Sequence, residues 1–468
     1  MESVWTKTAA LPQFPPLEGN RKTDVLVIGG GITGILCAWM LRQAGTGCLL
    51  VEADRLCGGT TGRTTAKVTS QHGLIYRRLL KEFGPERARL YWQAQEAALA
   101  RYRTLCREID CGFQEKDNFV YSTAGRAALA RYRTLCREID CGFQEKDNFV
   151  YSTAGRAALD GELEALEKIG VPARFASDLP LPFPTAGAVC FPGQGQFHPL
   201  KFLAALVRDL TVYERTQALE WAPGLVRTDR GTIRAEKIIA ATHFPFVTNH
   251  GGYFLKLYQH RSYALALENG PDVDGMYVDE AKTGLSFRNG EGLLLLGGGG
   301  HRTGKKGGGW RELEDAARRY YPQARAVCRW AAQDCMSLDG VPYVGRYGRN
   351  TPGLYAASGF SKWGMTGAML AAELLTDLVL GRESPYQTLF DPNRTILRPQ
   401  LAVNALEAAV HLLTPTAPRC PHMGCALKYN ALEHTWDCPC HGSRFAEDGT
   451  VLDGPANGNI TSEPKGRK

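Results

Sequence analysis

Two groups of residues in this 468-residue chain have types and spacings that can do chemistry. One is near the C-terminus. It reads Cys420-Pro421-His422-Met423-Gly424-Cys425, then, after fifteen intervening residues from His422, Cys438-Pro439-Cys440-His441-Gly442-Ser443. Cys–His pairs on two loops can hold a [2Fe-2S] cluster, with two thiolates on one iron and two imidazoles on the other. Four such donors also suit zinc, although zinc fingers usually place two or more residues within the first pair, not one. The second group is Gly29-Gly30-Gly31-Ile32-Thr33-Gly34, with Glu52 eighteen residues after Gly34. Gly29, Gly31 and Gly34 have the G-x-G-x-x-G spacing of a dinucleotide site. Gly29 permits the tight turn, Gly31 lets the backbone approach a pyrophosphate, and Gly34 lets helix and strand pack closely. The helix N-terminus then faces the phosphates, and Glu52 can take a ribose hydroxyl pair.

These groups need elements to hold them. The apolar run 24–28 predicts a buried strand, followed by a helix over 31–44 stopped by Gly45. A second strand is expected over 48–51. The Gly/Thr-rich loop after it, including Thr60 and Thr61, has side chains small enough to lie along an extended cofactor. Helical patterns cover 72–110 and 161–169. The Pro- and Gly-rich stretch 178–199 reads as loop, 253–267 as a long alternating strand, and 310–335 as an amphipathic helix. A strand at 354–357 precedes a strong helix over 364–380. The chain changes character after residue 413, becoming rich in Cys, His, Gly and Pro.

Residues 97–129 are repeated identically at 127–159, a tandem copy of period 30. Solenoids need at least three units and normally diverge, so the expectation is one helix–strand unit plus a spare copy. Net charge is +7, from 55 basic and 48 acidic residues, with no dense basic run interleaved with aromatics. Nucleic acid is therefore not an expected partner. The first 22 residues lack an apolar signal-peptide core, and no apolar run is long enough to span a bilayer. A cytoplasmic protein is expected, whose 14 cysteines are reduced thiols or metal ligands.

The glycine motif is joined by Leu338-Asp339-Gly340-Val341-Pro342-Tyr343-Val344-Gly345 and by the strand–Gly359-Phe360–helix segment over 354–375. Together they resemble the FAD-binding domain of the D-amino-acid oxidase/sarcosine oxidase/glycerol-3-phosphate dehydrogenase superfamily. The C-terminal motif resembles the Rieske pattern C-x-H-x-G-C…C-P-C-H-G-S. The resemblance implies an α/β fold: a Rossmann-like FAD-binding domain, an α+β substrate domain built on a β-sheet, and a small all-β Rieske domain. The expected division is 24–390 for the oxidoreductase, 391–413 for a linker and helix, and 414–468 for the Rieske domain. Within the oxidoreductase, FAD-binding parts are expected at 24–70, 197–243 and 338–382, and substrate parts at 71–196 and 244–337. Only about 30 residues separate Phe390 from Cys420, so the Rieske base sheet is truncated or borrowed.

The same resemblance implies FAD bound by Gly29, Gly31, Gly34, Glu52, Thr60 and Thr61. It places Gly359, Phe360, Lys362, Trp363, Gly364, Met365 and Thr366 near the isoalloxazine. The cluster ligands it implies are Cys420, His422, Cys438 and His441. It also implies a disulfide between Cys425 and Cys440, for which free thiols are the alternative in a reducing compartment, and a hydrogen bond from Ser443 to the cluster. His260, Arg261 and Lys362 are the substrate-side candidates, with Arg261 able to clamp a carboxylate. The implied activity is oxidation of a small amine, amino acid or hydroxy acid by FAD, with electrons leaving through the cluster to an unidentified acceptor. An NAD(P)H-driven reductase and a non-catalytic redox sensor are the alternatives.

Overall fold

The computed structural model describes residues 2–108, 144–247, 250–281, 284–415 and 418–460. Its first sheet is built on Arg21–Ile28, whose last four residues are buried. Parallel neighbours Cys48–Val51 and Gly231–Ala240 flank it, and Leu354–Ser358 lies beyond Gly231–Ala240. These strands are continuous apolar runs because both faces are covered, as parallel sheets require. Helices Ile32–Gln43 and Gly364–Val379 pack together as part of that cover.

The second sheet centres on Leu257–Glu268, antiparallel to Arg325–Ser337 on one side and Leu293–Arg302 on the other. It continues through Ser286–Gly290, Met276–Asp279, Gln144–Tyr151 and Ala188–Gln196 to Lys67–Val68. Two expectations are corrected here. The helix read over 310–335 spans only Gly309–Tyr320, and Arg325–Ser337 is a strand. Pro322 cannot continue a helix, and the segment after it pairs along the whole central strand. The stretch read as loop contains the strand Ala188–Gln196. Its Pro192 and Gly193 sit at a register shift against Lys146–Asn148, where a bulge tolerates both residues.

The helix Tyr76–Glu108 takes its last turns from the first repeat copy, and the strand Gln144–Tyr151 comes from the second. Cys111, Cys136 and Cys141 lie outside the described residues, as does the chain between those two elements.

The C-terminal sheet has four short antiparallel strands, Lys428–Asn430, Thr435–Asp437, Arg444–Ala446 and Val451–Asp453. It is seated on the second sheet by a buried charge network. Glu433 accepts from Arg261 Nε at 3.0 Å, from Arg444 Nη2 at 2.9 Å and from the Tyr263 hydroxyl at 2.9 Å. Arg444 Nε also reaches Asp437 at 3.0 Å. Arg261, Glu433 and Arg444 are each less than one-tenth exposed. Burial alone would raise the Glu433 pKa, but the two guanidinium groups outweigh it and hold the carboxyl below its ordinary value.

Two predictions follow from these contacts. Deleting residues 127–156 should leave an unfolding temperature equal to or above that of the parent, because it joins Glu108 to the same strand sequence through five residues. Thermal unfolding by circular dichroism measures it. Glu433→Gln leaves the buried Arg261 without its carboxylate and Arg444 with Asp437 alone, and should cost about 3–5 kcal/mol, read by urea unfolding and by easier proteolytic release of the C-terminal sheet. In the parent, the stabilisation from Glu433 is full above the unfolded carboxyl pKa of about 4.3 and is lost as pH falls below it.

Candidate functional site: a dinucleotide cavity beside a cysteine–histidine centre

The turn after Arg21–Ile28 is closed to any side chain. Gly29 has φ +109°, and a Cβ there would lie 2.5 Å from the Ala241 carbonyl oxygen. A Cβ on Gly34 would lie 1.9 Å from the Gly29 carbonyl oxygen, so the helix can draw up against the strand end. Thr61 accepts from the first-turn amide of Ile32 at 3.0 Å. Glu52 accepts from the Gly30 and Asp54 amides at 2.6 and 3.0 Å. Gly29, Gly31, Glu52, Thr60 and Thr61 all line one cavity of about 990 Å³. That volume and the glycine cradle fit an extended dinucleotide.

At the far end of the cavity stands the N-terminus of helix Gly364–Val379. Ser361 and Lys362 are held at φ 51° and 76°, a left-handed conformation that side-chain-bearing residues rarely adopt. Lys362 is open to the cavity, while the protein around it lowers its pKa against the opposing pull of Asp334. Phe360, Trp363, Gly364 and Met365 join it in the lining. Trp363 stacks on His72 with ring centroids 5.1 Å apart. Burial pushes His72 down to about 3, so it is neutral at physiological pH. Two expected residues stand behind the lining. Thr366 is buried, donating to the Thr69 carbonyl at 3.0 Å, and Gly359 packs on Leu257, Ser337 and Tyr343.

His260 lines the cavity, but Arg261, its neighbour on the strand, points to the other face and is committed to Glu433. Period-two alternation separates them. That alternation is also the signal that would have found Tyr258 and Ser262, which line the cavity with His260. Ser262 donates to Asp334 at 2.8 Å. Trp330 and Asp334 come from Arg325–Ser337, where a helical reading hid them.

In the C-terminal sheet, each motif loop is closed by reciprocal backbone bonds. Cys420 N–H donates to Cys425 and Gly424 N–H to Cys420, at 2.9 and 2.8 Å. Cys438 N–H donates to Ser443 and Gly442 N–H to Cys438, at 2.8 and 2.9 Å. Cys420, Cys425, Cys438 and Cys440 are all buried together. The sulfurs of Cys425, Cys438 and Cys440 lie within 4.8 Å of one another, and all are free thiols. The His422 and His441 rings stand 5.0 Å apart. Both nitrogens of His422 and Nδ1 of His441 are buried without a hydrogen-bond partner. Burial pushes both imidazoles down to about 4, so each is neutral and offers a lone pair. Two buried imidazoles, each with an unpartnered nitrogen, beside buried thiols fit a cluster with two thiolate and two imidazole ligands. Ser443 is fully buried, hydrogen-bonds Cys420, and accepts from Ala456 N–H at 3.0 Å.

The two sites share a wall. Phe244, which lines the cavity, is edge-on to His422 and His441 at 6.1 and 6.3 Å. Gln333 donates to the Gly442 carbonyl at 2.9 Å and accepts from the Thr60 hydroxyl at its own carbonyl, also 2.9 Å. His441 Nε2 lies 3.0 Å from the Phe254 carbonyl. With the proton there, Nδ1 keeps the lone pair that iron needs.

Comparison with known proteins agrees with this geometry. Residues 24–378 match the family model for FAD dependent oxidoreductase, and residues 400–464 match that for the Rieske [2Fe-2S] domain. The chain is 33% identical to YhfW of Bacillus subtilis (strain 168), whose name describes a Rieske 2Fe-2S iron-sulfur protein, over 97% of this chain and 96% of that one. It is 24% identical to gamma-glutamylputrescine oxidoreductase of Escherichia coli (strain K12), over 84% and 93%. Among solved structures, glycine oxidase from Geobacillus kaustophilus shares the fold with a TM-score of 0.63 at 21% identity, covering 80% of this chain and all of that one. The chain belongs to the FAD dependent oxidoreductase family and carries a C-terminal Rieske [2Fe-2S] domain.

Proposed function

We propose that this enzyme oxidises a small amine, amino acid or hydroxy acid at FAD and sends the electrons through its Rieske cluster to an external acceptor. The observation that carries this reading is the shared wall: Phe244 lines the cofactor cavity and faces both cluster histidines, and Gln333 links Thr60 of the cavity lining to Gly442 of the second cluster loop. The relative named for gamma-glutamylputrescine and the structural neighbour named for glycine support an amine or amino acid.

When bound, FAD supplies a two-electron acceptor and the cluster a one-electron carrier. The chain's own groups do the rest. The N-terminus of helix Gly364–Val379 and Lys362 line the cavity and would set positive charge beside a bound flavin, favouring its negatively charged reduced form. We assign His260, Lys362 and Asp334 to the substrate side, and Cys420, His422, Cys438 and His441 to the cluster. Residues 451–457 and Gln400 also line the cavity, so the Rieske domain helps exclude water from it. Cys425 and Cys440 are close enough to bridge under oxidising conditions, and we propose this as their role.

Anaerobic titration tests the reading. An amine or amino acid should bleach the flavin and then give the reduced-cluster EPR signal; bleaching by NADPH and by no such substrate would contradict it. Cys438→Ser should remove the cluster and keep one FAD per chain, measured by iron assay and absorbance. Phe445 is fully buried in the core that holds the four cysteines, and it brings no hydroxyl there. Hydrogen bonds to cluster sulfurs favour the reduced state. Phe445→Tyr should therefore raise the cluster midpoint and Ser443→Ala lower it, both read by protein-film voltammetry.

A further inference from the structure

The helix Pro399–Leu413, which leads into the Rieske domain, is inside out. Its polar residues Asn404 and His411 are buried, while Leu406 is 67% and Leu413 82% exposed. Leu406, Val410 and Leu413 fall at i, i+4 and i+7, one stripe along the helix, and face solvent, while Val403, one turn before them, borders the cofactor cavity. A helix on an ordinary surface does the reverse. The inward use of the polar side is specific: Asn404 accepts from Arg302 at 3.0 Å, and Glu407 pairs with Lys305 at 2.8 Å. Leu397, just before the helix, is 81% exposed, and Met423 in the first cluster loop is exposed too.

We infer that this face docks onto an anionic lipid surface. After Pro399 the exposed helix residues are alanine, valine and leucine, with no aromatic or arginine among them. Protein-docking patches are enriched in both, whereas binding at a lipid surface scales with the apolar area buried in it and with attraction to anionic headgroups. The C-terminal end of the stripe is flanked by cations. Arg419 holds the His411 and Leu412 carbonyls at 3.2 and 3.3 Å, and Lys428 is exposed on the neighbouring strand. Basic residues beside an aliphatic stripe match anionic headgroups. They also disfavour a second copy of a chain whose net charge is +7. Ala408, on the inner side of the helix, packs into the core formed by the cluster cysteines, so the docked face presents the cluster end of the molecule to the bilayer. The inference rests on surface chemistry and not on the substrate assigned above.

Co-sedimentation of the full-length holoprotein with vesicles tests it. Vesicles of equal phosphatidylglycerol and phosphatidylcholine should pull the protein down, and phosphatidylcholine alone should not. Leu406→Glu with Leu413→Glu should abolish binding while flavin and iron contents stay at one and two per chain. Lys428→Glu, which leaves the stripe intact, should weaken binding on the order of ten-fold. Wild-type protein remaining in the supernatant overturns the inference, as does equal binding to both vesicles. So does a wild-type dimer by light scattering that Leu406→Glu turns into monomer, because a second copy then covers the stripe.

Discussion

A carboxylate shared by two arginines holds the Rieske domain against the flavin-dependent oxidoreductase domain. Glu433 on the Rieske domain is buried between Arg261 of the second sheet and Arg444 of its own sheet. Such charges are costly to bury unless each is paired, so only one seating of the Rieske domain satisfies all three. The domain gains from that seating, because its own core is small, with Leu427, Phe445 and Ala456 packed around the four cysteines. The arginine of one domain thus completes the polar network of the other.

Everything at the interface follows from that placement. Gly442, at φ +85°, lies so close to Gln259 that a Cβ would fall 2.1 Å from its Cγ. Arg302 donates to the carbonyl of Pro439 at 3.2 Å, fixing the second cluster loop from below. The carbonyl of Phe254 sets the His441 tautomer, and Phe244 fills the space between imidazoles and cofactor cavity. The residues that tune the cluster therefore belong partly to the flavin domain. Hydrogen bonds connect the two sites at several points: Arg302, which lines the cavity, donates to Pro439, Ala456, also in the lining, donates to Ser443, and Thr60 is linked through Gln333 to Gly442.

Much of this was legible in the sequence, for a physical reason. The glycines of a dinucleotide turn and the donors of a metal centre are fixed by local geometry, so spacing alone announces them. Gly29, Gly34, Cys438 and His441 are of this kind. Long-range choices were not legible in the same way. Arg261 reads as a substrate clamp until Glu433, 172 residues away, is seen to occupy it. Asp334 and Trp330 were hidden because residues after Pro322 carry a helical pattern that pairing with Leu257–Glu268 overrides. Thr366 has the right neighbours in sequence, yet helix periodicity turns its hydroxyl toward Thr69 and away from the cavity.

The central claim is that electrons pass from cofactor cavity to cluster inside one chain, across the wall formed by Phe244 and Gln333. Stopped-flow reduction of the holoenzyme under anaerobic conditions, followed at flavin and cluster wavelengths over a range of protein concentrations, tests it most directly. Cluster reduction should follow flavin reduction with a first-order rate that does not change with protein concentration. A rate that rises in proportion to concentration would show transfer between molecules and contradict the account.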